Sequence, residues 1–263
     1  MSQVKTDAEI DKIRKACRIA AEILAELKSC IKVDITTAEI EAVAIRLFKE
    51  KDAIPAFMGY RGYKYATCLS VNDEVVHGLP GSRKLKDGDI IGVDVGAIVD
   101  GYYGDNAETF PVGKVSATAK RLLSTTRNAL YKGIAEAKDG GHLGDISFAI
   151  ESEAKKNGFS VVRDLYGHGV GKNLHEDPLI PNYGSKGTGV MLKAGMTLAI
   201  EPMLNVGGHE IKTLDDGWTI VTADGSLSAH FEHTVLITKG VPVILTRQES
   251  GQSSPKGGQA GRK

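Results

Sequence analysis

Twice along this chain, two capped amphipathic helices are followed by a long run of short β-rich segments, and that doubling is its strongest constraint on fold. The first helix is announced by Thr6 and Glu9. At this spacing a hydroxyl and a carboxylate each accept from the other residue's free backbone N–H. Apolar residues follow at Ile10, Ile13, Cys17, Ala20, Leu24 and Leu27, in steps of three and four that share one helix face. A second helix opens near Thr36 or Thr37, with Glu39 as the box partner, and carries Ile40, Ile45, Leu47 and Phe48. From about 55 to 112 the chain is rich in Gly, Tyr and β-branched residues and reads as strands and turns. The order then recurs. A helix is expected over about 116–138, with Leu122, Leu123, Leu130 and Ile134 inward. Another starts near Asp145, carries Phe148, Ile150 and Ala154, and stops at Gly158. Strand-like runs fill 197–200, 218–222, 230–238 and 242–246. What repeats is organisation, without visible repetition of sequence. It implies an α+β protein of two similar halves, with helices covering one face of a mainly antiparallel sheet.

At 263 residues the chain is long enough to bury a real core. Lys plus Arg and Asp plus Glu number 33 each, a balance that argues against a dedicated nucleic-acid binder. The N-terminal stretch has no apolar core of a signal peptide, and no segment approaches the ~18 apolar residues of a membrane span. Three cysteines, Cys17, Cys30 and Cys68, read as reduced thiols in a cytosol, with Cys17 and Cys30 as small core residues. Residues 249–263 are polar, Gly/Ser-rich and aperiodic, which predicts a disordered tail after a single domain over 1–248.

The chemistry-bearing candidates are acidic residues inside strand patterns. Asp94 stands in IIGVDVGAIV, on the face opposite Ile91, Val93 and Val95, with Gly92 and Gly96 as its same-face neighbours. Those glycines leave room beside the carboxylate. Either it is a strand-end residue facing solvent, or it is buried and needs a cation or several donors. Asp105 follows after an Asp100–Gly101 hairpin signal, which would fold it back beside Asp94 unless it is itself a turn residue. His168 is flanked by glycines in YGHGVGKNLHEDP, so that a ligand or another backbone can approach, and His175 follows at plus seven. GHGVGKN is not a phosphate loop, because Asn173 stands where Ser or Thr is required. Glu201 ends the run MTLAIEP, and Glu232 lies in AHFEHTVLIT; each alone also fits a strand-end surface residue.

Together these make four carboxylates and one imidazole, a charge that two divalent ions neutralise and that bare clustering would not tolerate. An oxygen-rich set with one nitrogen and no sulfur favours Mn, Fe or Co over structural zinc, with Zn or Ni possible. Two ions roughly 3.5–4 Å apart hold and ionise a bridging water, which points to hydrolysis of an amide or phosphate ester.

The stretches GYRGYKYATCLSVNDEVVHGLP, IIGVDVGAIVDGYYGDNAETF, YGHGVGKNLHEDP, MTLAIEPML and SAHFEHTVLIT, in this order, resemble the type I methionine aminopeptidases over nearly the whole chain. The resemblance implies the pita-bread fold, a curved sheet in two pseudo-symmetric halves. It implies that Asp94, Asp105, His168, Glu201 and Glu232 hold two ions, with Asp105 and Glu232 bridging and His168 on one ion only. Glu201 would also take a proton from the attacking water. His77 and His175 would hold the substrate backbone and steady the intermediate without binding metal. The methionine side chain would enter a pocket near Phe57, Tyr60, Tyr63, Cys68, Leu174 and Trp218, with Cys68 at its mouth. Family members often have Cys where Phe57 stands and an aromatic where Leu174 stands. The implied substrates are nascent polypeptide N-termini with a small second residue, met by a cytoplasmic monomer, with transient ribosome contact possible and no membrane or sequence-specific nucleic acid involved. X-Pro peptidases of the same fold carry a large N-terminal domain for which this chain has no room. Non-catalytic relatives have lost ligands that all stand here.

Overall fold

The computed structural model describes residues 4–247. The expectations for the 249–263 tail, and for a domain boundary at 248, lie outside the described residues.

Four helices form where the caps and periodicity placed them. They are α1 (Asp7–Cys30), α2 (Thr37–Glu50), α3 (Ala117–Glu136) and α4 (Leu143–Lys156). Thr6–Glu9 and Thr36–Glu39 both close as reciprocal capping boxes. Helix α4 begins two residues before the expected start, because Asp145 sits in its first turn and reaches back to the His142 N–H at 2.8 Å. Gly158 takes a left-handed φ of 74° just past its end, a conformation that costs glycine little. Two side chains given to the helix faces are exposed, Ile45 and Phe148, and Cys30 is half-buried at the end of α1, whereas Cys17 is fully enclosed.

The first half contributes β1 (Ile54–Pro55), β2 (Thr67–Val71), β3 (Glu74–Val76), β4 (Ile90–Val99) and β5 (Tyr102–Pro111). The second contributes β6 (Ser160–Val161), β7 (Tyr166–Gly169), β8 (Glu176–Pro181), β9 (Thr197–Ile200) and β10 (Met203–Asn205). It continues with β11 (Ile211–Thr213), β12 (Ile220–Thr222), β13 (Ser228–His230), β14 (Glu232–Leu236) and β15 (Val243–Ile244). The main sheet runs β1-β4-β5-β14-β9-β7-β8, with β2 also on β4 and β15 also on β14. All strand pairings among the described residues are antiparallel. The β5–β14 pair is the seam between the halves. The expected single strand over 230–238 is two. Phe231 is buried in the core beneath α3 and donates its N–H to Pro202, which turns β13 into a small sheet with β10 while β14 stays in the main one.

One face of the main sheet is closed by the helices. Ile91, Val93, Val95 and Ala97 of β4 pack with α1 and α2, and Leu198, Ile200 and Val235 pack with α3 and α4. Because side chains alternate along a strand, this fixes Asp94 on the open face. Helix α1 lies so close to β5 that a Cβ at Gly104 would overlap the backbone of Ala16 and Cys17.

Candidate metal centre

The register of the sheet gathers the acidic residues. Cys68 pairs with Asp94, Asp94 with Ala107, and Ala107 with Glu232, so these four form one row across β2, β4, β5 and β14. Directly paired residues share a face, and adjacent strands lie only ~4.8 Å apart. The small Ala107 therefore leaves the Asp94 and Glu232 carboxylates free to converge above it. A second row lies alongside. Asp105 pairs with Gly96, and its backbone N–H and C=O both bond the Thr234 hydroxyl, at 3.2 and 2.8 Å. Thr234 pairs with Ala199, and Ala199 with His168. Glu201 follows β9 two residues after Ala199, on the same open face. The Asp100–Gly101 turn, with φ of 51° and 76°, folds β4 and β5 together as the sequence signal implied.

The glycines serve this packing more than they leave space. Side chains of Ala56 and Phe57 fill the room beside Gly96. A Cβ on Gly167 would meet the backbone of Ala199, and one on Gly169 that of Asp177, so the glycines flanking His168 admit neighbouring strands, not a ligand.

The cluster is short of partners. Asp94 Oδ1 and Glu232 Oε1 are sealed from solvent and have no hydrogen-bond partner among the described residues. His168 Nδ1 is 2.9 Å from the Gly169 carbonyl, which turns Nε2 into the site, 3.5 Å from Glu201 and 3.9 Å from Asp105. Burial first, and the neighbouring carboxylates second, push Asp94 and Glu232 well above the ordinary carboxylate range. Asp105 and Glu201 are also raised, to about 7, again by burial before any other cause. Orphaned buried oxygens on acids that repel one another are the donor set a divalent cation satisfies. Asp105, His168 and Glu232 bring ligand atoms within 4.8 Å of one another, and so do Glu201, His230 and Glu232. The residues present thus fit a pair of ions sharing Glu232.

Beside the acids lies a cleft of about 330 Å³ whose lining includes Phe57, Tyr60, Tyr63, Cys68, Leu174 and Trp218. Tyr63 and Trp218 meet edge to face at 5.0 Å, and Tyr60 Oη is 2.8 Å from His175 Nδ1. Phe57 and Leu174 belong to one apolar cluster, so a larger ring on one wall accompanies a smaller side chain on the other, a volume exchange that packing tolerates. Cys68 is not at the mouth. It is buried in the wall opposite Asp94, and burial, then the Asp94 charge, raise its thiol pKa well above normal.

The two other histidines also line the cleft. His77 has a positive φ of 60°, and burial, with His230 nearby, lowers its pKa to about 4. His175 is exposed to solvent, while partial desolvation in the cleft and the His168 imidazole, 4.2 Å away between centroids, lower its pKa. Both rings are neutral at pH 7 and can donate or accept one hydrogen bond to a bound peptide. Sequence reasoning missed His230, Arg61, Val76, Leu165, Tyr166, Leu179 and Met203 as cleft residues. For His230 the one available signal was its place two residues before Glu232, on the same side of a strand.

The helix-backed antiparallel sheet with an acidic centre on its open face defines a class of metal-dependent peptidase, and residues 11–239 match the metallopeptidase family M24. Methionine aminopeptidase 1 of Bacillus subtilis is 53% identical over 92% of this chain and 98% of its own length. The crystal structure of methionine aminopeptidase from Thermotoga maritima superposes with a TM-score of 0.93 at 51% identity, covering 94% of this chain and 100% of that one. Methionine aminopeptidase of Clostridium perfringens is 49% identical over 92% of this chain and 98% of its length. The chain belongs to metallopeptidase family M24, among its methionine aminopeptidases, and has their pita-bread fold.

Proposed function

We propose that this chain removes the N-terminal methionine from nascent polypeptides whose second residue is small. The carrying observation is the juxtaposition of a partnerless acidic cluster with an apolar, aromatic-walled slot in the same cleft. We assign Asp94, Asp105, His168, Glu201 and Glu232 as the residues that would hold two divalent ions, Mn, Fe or Co. Bound there, such ions lower the pKa of water and stabilise negative charge on a carbonyl oxygen.

The protein's own groups do the rest. Phe57, Tyr60, Tyr63, Cys68, Leu174 and Trp218 receive the methionine side chain, whose thioether suits aromatic edges. A slot of fixed depth distinguishes apolar side chains by about 1–3 kcal/mol per methylene. Glu201 takes the proton from the attacking water. His77 and His175, held neutral, hydrogen-bond the substrate backbone and steady the intermediate. The proposed setting is the cytoplasm, with the chain acting as a monomer. No helix among the described residues is long and apolar enough to cross a membrane.

A cleavage assay on Met-Ala-Ser, Met-Leu-Ser and Ala-Pro peptides under Mn, Fe and Co tests this. Release of methionine from the first alone is the expected result. Cleavage of Ala-Pro, or full turnover in excess chelator, would overturn it.

A further inference from the structure

We propose that His230 is a further ligand of this metal centre, which then holds its ions through two imidazole nitrogens. The inference rests on the two-ion reading above and adds a residue to it.

The His230 side chain is almost wholly buried, at 5% exposure. Its Nε2 lies 3.2 Å from Glu201 Oε2, yet no hydrogen bond joins them, because the oxygen stands off the axis along which the ring nitrogen bonds. Among the described residues that nitrogen has no hydrogen-bond partner. A buried polar atom left without one costs about 1–3 kcal/mol. Glu232 Oε1 is orphaned in the same way. The ligand atoms of Glu201, His230 and Glu232 all lie within 4.8 Å of one another. Two donors bound at right angles to one ion at ~2.1 Å stand about 3 Å apart, close to the separation seen here.

The other triad, Asp105, His168 and Glu232, has the same composition plan, with Glu232 common to both. The backbone around His230 is fixed for the task. Its N–H donates to the Thr109 hydroxyl at 3.0 Å, the same hydroxyl donates to its carbonyl at 2.8 Å, and the residue pairs with Met203 in β13–β10. A ligand held this firmly needs no rearrangement to bind. A second imidazole tilts a carboxylate centre away from Mg and Mn and toward Fe, Co, Ni and Zn.

The competing role is a ring that only orients Glu201. Cobalt distinguishes the two, because an imidazole bound through Nε2 must carry its proton on Nδ1, and in the Co(II) protein that proton gives a strongly shifted, solvent-exchangeable NMR signal. The full chain, labelled with ¹⁵N-histidine and loaded with Co(II), should show two such signals. His168→Gln should remove one and His230→Gln the other. Calorimetric titration should show Co(II) affinity falling at least tenfold in His230→Gln. A single signal in the unaltered protein, assigned to His168, would overturn the inference and leave the two-ion reading standing. So would a His230→Gln protein that binds cobalt more weakly while keeping every signal of the parent. No cobalt binding at all would overturn both.

Discussion

The hydroxyl of Tyr60 lies 2.8 Å from Nδ1 of His175, across the cleft between the two halves of the molecule. Tyr60 belongs to a single 3₁₀ turn, 60–62, that follows β1, and His175 stands just before β8. A partner on Nδ1 fixes both the ring's orientation and which nitrogen is free to face substrate. Tyr60→Phe keeps the ring that walls the slot and removes the bond. A hydrogen bond of this kind contributes about 0.5–1.5 kcal/mol, so kcat should fall roughly two- to thirteenfold with KM little changed. Steady-state kinetics on a Met-Ala-Ser peptide measure this. A rise in KM alone would make Tyr60 a wall residue and nothing more.

His175 itself contacts the His168 ring but lies outside both groups whose ligand atoms converge. His175→Ala should therefore lower turnover by about 10²-fold or more, the usual loss when a group that steadies the transition state is removed. Bound metal, measured by elemental analysis, should stay at the parental level. Loss of metal in proportion to loss of activity would make His175 a ligand.

The raised carboxyl groups predict how metal affinity depends on pH. Asp105 and Glu201, ordinarily near 3.8 and 4.5, are held at about 7, so the folded apo-protein keeps protons that the unfolded chain has released. By linkage, this part of apo-protein stability falls as pH rises from about 4 toward 7. The buried histidines act oppositely. His77, His230 and His233 sit at about 4 against 6.5 unfolded, so their contribution improves with pH over that interval and is complete above 6.5. Comparing loaded with chelated protein isolates the groups that hold the ions, because an ion binds only their deprotonated forms. The gain in Tm on adding Mn(II) should widen between pH 5 and pH 7.5, and calorimetry in buffers of different ionisation enthalpy should show protons released. A pH-independent gain with no proton release would contradict the repelling-acid account.

Asp94 was readable because an acid inside a β-branched run is anomalous, and Asp105 because Asp100–Gly101 dictates a tight hairpin. Register did the rest, since one hairpin fixes which residues of β4 and β5 share a face. His77 carries no local signal. It occupies a positive-φ turn after β3, and only the resemblance singled it out. His230 was hidden inside what reads as one strand over 230–238, and the break at Phe231 comes from pairing with β10, distant in sequence. Strands of two or three residues, such as β6, β10 and β11, are too short to show a period. The chemistry thus announced itself where local pattern and burial conflict, and stayed silent where long-range pairing decides.

Glu41 ties the helical layer to the slot. Buried on α2, its carboxylate accepts from the Ala66 N–H at 2.6 Å, the Thr67 N–H at 3.1 Å and the Thr67 hydroxyl at 2.6 Å. These bonds hold the first residue of β2, next to Cys68, which pairs with Asp94. Burial raises the Glu41 pKa, and the three donors work against that rise. Glu41→Ala leaves three donors buried without an acceptor, at about 1–3 kcal/mol each if none finds water. A total near ~3 kcal/mol, at 2–4 °C per kcal/mol for a chain of this size, lowers Tm by roughly 6–12 °C. Glu41→Gln keeps one acceptor oxygen but turns an NH₂ toward a donor, and should fall between the two. Activity below the melting range should drop in the same order, because β2 carries one wall of the slot. If thermal unfolding of Glu41→Ala matched the parent within a degree, the carboxylate would be an incidental acceptor and the position of β2 would be set by the sheet alone.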